Sequence, residues 1–140
     1  MRRAIGTGIA LVALAAPMAG AAVSLPAVLG EHMVVQRDLP FHVWGQASPG
    51  EAVTASFRGA TRTAVADDLG RFSLFLPPSS AGGPFGLTVS GSDTIRLDDV
   101  WVGDVWVAAG QSNMEWPLDA AEGAGELVPQ ATHREVRFLR

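Results

Sequence analysis

The chain has 140 residues, and its ten basic residues are all arginine, against fourteen acidic residues and a formal net charge of −4. This negative charge argues against nucleic acid as a partner, because a phosphate backbone is bound by a positive surface. The chain contains no cysteine, which excludes a disulfide scaffold and a thiol nucleophile.

Residues 1–21 have the pattern of a secretory signal peptide. Arg2 and Arg3 precede an apolar run, Ile9–Ala16, and the small residues Ala19–Ala21 fit a signal-peptidase site. The run is well short of the ~20 residues that cross a bilayer, so we expect no membrane span. We expect general secretion to the periplasm or the extracellular space, since the rest of a twin-arginine signal is absent.

Residues 22–99 contain short apolar runs separated by turn residues, which predicts an all-β accessory domain, a sandwich of the immunoglobulin or jelly-roll kind. The segment Asp67–Gly70 predicts a hairpin turn between two of these runs. In chain order, the predicted strands are Phe41–Trp44, Ala52–Phe57, Thr61–Val65, Phe72–Leu76, Leu87–Val89 and Thr94–Leu97.

The aromatic residues of this domain allow two interpretations. Rings on the surface of a β-domain can stack on sugars, and the candidates are Trp44, Phe57, Phe72, Phe75 and Phe85. Most of them fall at alternating strand positions, so packing in the core is the favoured interpretation.

Residues 100–140 have a different pattern. Val105–Ala109 is a dense apolar run, typical of a strand buried on both faces of a parallel sheet. A weak helix interrupted by glycines is predicted over 118–128, followed by a second strand over 136–140. Strand, helix and strand form the unit of a doubly wound α/β sheet. Two strands and one frail helix bury too little apolar area to fold alone, so we expect the incomplete start of a larger α/β domain.

The segment Gly110-Gln111-Ser112-Asn113 follows the predicted strand directly. A serine at a strand-to-helix turn is a candidate nucleophile: glycine allows a sharp turn, and the Ser112 N–H can point at a developing oxyanion. An ordinary loop in which Ser112 or Asn113 caps a helix explains the spacing too, and spacing alone favours it. Met114 stands where a Gly-x-Ser-x-Gly elbow needs its second glycine, which argues against that class of α/β-hydrolase.

Two regions of the chain resemble one family. Residues 100–106 and 110–118 read Val-Trp-Val-Gly-Asp-Val-Trp and Gly-Gln-Ser-Asn-Met-Glu-Trp-Pro-Leu. They resemble the nucleophile block of the sialate O-acetylesterase family, carbohydrate esterases of the SGNH hydrolase superfamily. Residues 29–37 and 43–51 resemble the accessory β-domain that precedes the catalytic domain there. The resemblance implies a flavodoxin-like SGNH fold, with a parallel sheet, beginning near residue 100.

The resemblance also implies roles for the residues of the loop. Ser112 would attack the acetyl carbonyl of an O-acetylated carbohydrate, with its own N–H as one arm of the oxyanion hole. Gly110, Gln111 and Asn113 would support the loop and the oxyanion. Trp116 is a candidate wall for the sugar ring, although packing beneath the following proline explains it equally well. We expect no metal and no cofactor.

The rest of the family's catalytic machinery has no counterpart in these 140 residues. The base is a histidine in an Asp-x-x-His block, which this sequence lacks, and His133 is predicted to be a solvated loop residue. His32, His42 and His133 are too scattered for a zinc site. Nothing indicates that Asp104 and Glu115 face each other as a carboxylate pair. We therefore expect the 140 residues to be an N-terminal portion that is inactive by itself.

Three functional hypotheses follow. The first is a serine carbohydrate O-acetylesterase that acts on O-acetylated sugars such as sialic acids. The second keeps the chemistry but has acetylated xylan or another hemicellulose as the substrate. The third is a secreted, non-catalytic carbohydrate-binding β-sandwich with an incidental Gly-Gln-Ser-Asn-Met loop. The sequence does not determine the oligomeric state.

Overall fold

In the computed structural model of this protein, residues 22–139 are described, apart from the side chain of Asn113. The predicted signal peptide, 1–21, lies outside these residues. The described part of the chain contains seven strands. They are β1 (Val34–Gln36), β2 (Phe41–Gln46), β3 (Ala52–Phe57), β4 (Ala60–Val65), β5 (Arg71–Leu76), β6 (Gly82–Ser90) and β7 (Thr94–Gly103).

The strands form two sheets. Five of them form a mixed sheet in the order β1-β7-β6-β3-β4, and β2 pairs with β5 in a two-stranded sheet. The β1–β7 pair is parallel, and the other pairs are antiparallel. The short β1 therefore covers one edge of β7, from Val34 opposite Trp101 to Gln36 opposite Gly103.

Alternating side chains explain why the two sheets share one core. In β5, Phe72, Leu74 and Leu76 are buried, whereas the residues between them are exposed, as expected for a strand with one solvated face. The buried apolar cluster draws on both sheets. Its strand residues are Phe41, Val43, Val53, Ala55, Phe57, Phe72, Leu74, Leu76, Leu87, Val89, Leu97, Val100 and Val102.

The sequence indicated two turns. One joins paired strands of one sheet, and the other joins strands of different sheets. Arg58 and Gly59 have φ of 48° and 81° and join β3 to β4 as a two-residue hairpin, which requires positive φ at both positions. At the other turn the Gly70 N–H donates to the Asp67 carbonyl oxygen at 2.8 Å. The predicted turn at Asp67–Gly70 is therefore present, with Gly70 at a φ of 76°, but it does not join a hairpin, because β4 belongs to the five-stranded sheet and β5 pairs with β2.

The predicted fold class, a β-sandwich followed by the start of an α/β domain, is contradicted by the structure. The described residues are mostly β, with a mixed sheet and very little helix. Val105–Ala109 is not a strand: it pairs with no described residue, and Trp106 and Val107 are 88% and 91% exposed. A strand is defined by its backbone partners, and an apolar run without them stays irregular however well its composition fits.

The later predicted elements are also absent or shorter. The weak helix over 118–128 is replaced by 3-10 turns at Leu118–Ala120 and Val128–Gln130 around a single helical turn, α1 (Ala124–Leu127). Residues 136–139 form no strand.

Among residues 22–139, no helix has the length and apolar character needed to cross a bilayer. The division at residue 99 stays a prediction, and β7 runs through that point to Gly103.

Candidate nucleophile loop

Residues 36 and 37 hold the chain where it leaves β7. The Gln36 side-chain carbonyl accepts a hydrogen bond from the Val105 N–H at 2.9 Å. Arg37 donates its Nε–H to Asp104 Oδ1 at 2.8 Å, and its backbone N–H donates to the Gly103 carbonyl at 2.9 Å. Gln36, the last residue of β1, and Arg37, which follows it, thus fix the first residues of the segment leading to Ser112.

We expect Gln36→Ala to make the segment that follows β7 more mobile without unfolding the protein. The substitution removes the oxygen that accepts from the Val105 N–H. Because Val105 is exposed, its N–H can bind water instead, so the free energy of unfolding should fall by about 1 kcal/mol or less. Amide hydrogen exchange measured by NMR should become faster at Val105. The amide of Val102, inside β7, is the internal control and should keep its protection. Unchanged exchange at Val105 would show that Gln36 does not hold this segment.

Ser112 lies at the start of a short 3-10 helix, Ser112–Glu115, and is exposed. The turn is closed by a hydrogen bond from the Met114 N–H to the Gln111 carbonyl oxygen at 2.9 Å. Gly110 does not have the positive φ that would demand glycine. Its lack of a side chain matters for another reason, because a Cβ there would collide with Cγ of Met114.

The other predicted site residues lie around this turn without forming a closed site. Gln111 and Trp116 are exposed, Trp116 by 66%, and the backbone of Asn113 is within the 3-10 helix. No histidine or carboxylate among residues 22–139 forms a hydrogen bond with Ser112. His133 lies in a turn, where its carbonyl oxygen accepts from the Val136 N–H at 3.2 Å. The catalytic and supporting roles of these residues therefore remain predictions.

A polar cluster that the sequence analysis missed surrounds Asp99 on β7. The Glu31 carboxylate accepts from the Asp98 and Asp99 N–H groups, each at 3.0 Å. Asp99 forms a hydrogen bond with His32 Nδ1 at 2.5 Å and accepts from Trp101 Nε1 at 2.7 Å. Arg137 lies 3.5 Å from the same carboxylate. The cluster ties residues 31–32 and the last described residues to one strand. No local pattern indicates the cluster, since Glu31 and His32 lie 67 or 68 positions from the residues they bind.

This cluster predicts a stability change in acid. The hydrogen bond from His32 and then that from Trp101 hold the pKa of Asp99 below its ordinary value; burial opposes this shift, and the charge of Arg137 adds a smaller lowering. A carboxyl group with a lowered pKa in the folded state stabilises above its unfolded pKa, near 4, and loses that contribution as pH falls through the folded value. We therefore expect Asp99→Asn to flatten the dependence of the urea midpoint on pH between about 5 and about 2.

The matched control for this prediction is Asp68→Asn, which removes an exposed carboxylate from a turn. Some acid dependence should persist in Asp99→Asn, because hydrogen bonds from backbone N–H groups, above all those of Ser92 and Arg71, also lower the pKa values of Glu51 and Asp67. Identical pH profiles for Asp99→Asn and the unsubstituted protein would show that the cluster contributes nothing to acid stability.

Comparison with known proteins gives a consistent result. No family model matches the chain. Sialate O-acetylesterase of Homo sapiens is 30% identical over 148 aligned residues, covering 96% of this chain and 28% of that protein. The Mus musculus protein of the same name is 28% identical over 147, covering 96% of this chain and 27% of its own length. The resemblance to the sialate O-acetylesterase family is confirmed.

A solved structure supports the same relationship. The crystal structure of a carbohydrate acetylesterase from Xanthomonas citri matches with a TM-score of 0.75 and 43% sequence identity, over 80% of this chain and 26% of that one. The chain thus spans about a quarter of the length of the sialate O-acetylesterases and of the esterase that it matches. The structural likeness covers 80% of this chain, and the sequence likeness to the sialate O-acetylesterases covers 96% of it.

Proposed function

We propose that the complete protein is a serine esterase that removes acetyl groups from carbohydrates, and that Ser112 is its nucleophile. The observation that carries this proposal is the similarity to proteins named sialate O-acetylesterase and carbohydrate acetylesterase over 80% or more of the chain. The exposed position of Ser112 at the start of a turn is compatible with attack on a bound ester.

The proposed reaction has two steps. Ser112 Oγ attacks the acetyl carbonyl carbon and loses its proton to a base; the sugar leaves as an alcohol and takes up a proton. The resulting acetyl-serine is then hydrolysed by water, which releases acetate and restores the hydroxyl. The Ser112 N–H is proposed as one donor to the oxyanion. Gln111 and Asn113 would hold the turn, and Trp116 would lie beside the sugar.

We propose that the base is supplied by a part of the protein outside residues 22–139, because no described histidine forms a hydrogen bond with Ser112. The 140 residues alone should then release no acetate above the uncatalysed rate, while the complete protein turns over. Turnover by the purified 140-residue chain at a rate comparable with that of the complete protein would contradict this part of the proposal.

The experiment that tests the function is acetate release by the complete protein from two substrates, O-acetylated sialic acid and acetylated xylan. Release from either supports the esterase proposal, and the ratio of kcat/KM values identifies the preferred sugar. No release from either, together with no labelling of Ser112 by a fluorophosphonate in folded protein, would leave the binding-module hypothesis. Export is proposed as well, and N-terminal sequencing of the mature protein tests cleavage near residue 21.

A further inference from the structure

An open groove lies on the outer face of the β2–β5 sheet. Ser112 is not among the residues that line it. One wall is the chain before β1: the N–H and carbonyl of Ser24 pair with those of Gln46 at 2.9 Å or less. The groove has a volume of about 550 Å³, within the range of small-ligand sites. Gly45 permits this crossing, because a Cβ there would collide with the Ser24 carbonyl oxygen.

The floor of the groove is aromatic. Strand alternation turns His42 and Trp44 outward while Phe41 and Val43 enter the core. The His42 ring stacks on Trp44 at 4.6 Å between centroids, and on Phe75 at 4.4 Å. Trp44 ends this stack and lines the groove, whereas Phe75 lies outside it. A flat indole beside polar groups is suited to the C–H face of a pyranose ring, whose hydroxyls point outward from the ring edge.

Polar side chains also line the groove. Ser73 is bound to His42 Nε2 at 2.8 Å and keeps further hydrogen-bonding capacity. No hydrogen bond among the described residues engages the side-chain amide of Gln46, which also lines the groove. Arg71 lines it too, but Nε and Nη2 both contact Asp67 Oδ2, at 2.9 and 2.8 Å. Because that carboxylate offsets the guanidinium charge, the groove favours a neutral sugar over an anionic one such as a sialic acid.

We propose that this groove binds a neutral pyranose residue of the polysaccharide that carries the acetyl esters. The identity of the ligand rests on the proposed function, since a carbohydrate esterase meets its ester groups on a sugar chain. Binding of a second residue of the same chain would raise the local concentration of substrate at the nucleophile loop without taking part in the chemistry. Among the substrates considered, this favours a hemicellulose over a sialoside.

The test is binding of the complete protein carrying Ser112→Ala, measured by electrophoresis in gels that contain deacetylated xylan. Xylan should retard the protein, and a second substitution, Trp44→Ala, should weaken binding about tenfold, the effect of losing one contact worth about 1.4 kcal/mol. Phe75→Ala is the matched control, an aromatic on the same face outside the groove, and should keep affinity within about threefold. Absence of retardation, or equal losses in both variants, would overturn the proposal.

Two further measurements keep the test decisive. Should Trp44→Ala fail to fold, Trp44→Phe is expected to retain binding and Gln46→Ala to weaken it about fivefold, the effect of one lost hydrogen bond; no change in Gln46→Ala would then count against the groove. Acetate release from an acetylated monosaccharide by the protein with Ser112 intact reports on the esterase function alone. Xylan binding without acetate release would overturn the proposed function but not the proposed binding site in the groove. Acetate release without xylan binding would overturn the binding site but not the proposed function.

Discussion

Ser112→Ala is expected to abolish acetate release by the complete protein, lowering kcat by a factor of about 10⁴ to 10⁶, as when a serine hydrolase loses its nucleophile. The physical reason is that no acetyl-enzyme forms without the hydroxyl, and the oxyanion donors alone act only on the slow direct attack of water. The measurement is the initial rate of acetate release at saturating substrate, with fluorophosphonate labelling as a second readout.

Two controls separate chemistry from folding in this variant. Ser112 is exposed, so its replacement by alanine should leave the urea midpoint unchanged within error. Ser80→Ala removes another exposed hydroxyl and should keep full activity and full labelling. Activity of Ser112→Ala within about tenfold of the unsubstituted protein would remove Ser112 from the proposed mechanism.

Leu76→Ala is expected to lower the free energy of unfolding by about 2 to 5 kcal/mol. Leu76 is 1% exposed and lies at the end of β5, opposite Phe41 of β2. The substitution removes buried methyl groups and leaves a cavity in the core shared by the two sheets, which close packing allows to collapse only in part. Urea unfolding followed by tryptophan fluorescence measures the change.

The matched control for this core variant is Leu69→Ala. Leu69 is 71% exposed in the turn before β5, so the same chemical change should alter the free energy of unfolding by about 0.5 kcal/mol or less. Similar losses in the two variants would show that the core does not depend on Leu76 as the burial indicates.

Much of the β-domain was predictable because its strands have a local signature. The prediction for Ala52–Phe57 coincides with β3, and Phe72–Leu76 differs from β5 by one residue. Both have one buried and one outward face, which alternation records directly. β1 was missed because Val34–Gln36 is too short for a pattern to develop, and it is a strand only through its parallel pairing with β7.

The aromatic residues show where pattern alone stops. Phe57 and Phe72 are buried, as core packing predicts, but Trp44 and Phe75 both lie on the outer face of their sheet, where Trp44 is half-buried and Phe75 is 57% exposed. Alternation places residues on one of two faces without saying which face meets the core. That assignment depends on which strands pair, and β5 pairs with β2 and not with its neighbour in sequence, β4.

The sequence by itself indicated the resemblance to the sialate O-acetylesterase family, through the motifs around Ser112 and residues 29–37, and located most of the strands, since residue identity and alternation are local properties. Only the tertiary structure decided that Val105–Ala109 is not paired as a strand and that Gln36 and Arg37 bind the residues that follow β7. It also decided that His42, Trp44 and Phe75 stack on the outer face of the β2–β5 sheet. Each of these depends on partners distant along the chain, and the spacing of residues within one segment carries no information about which distant segment will meet it.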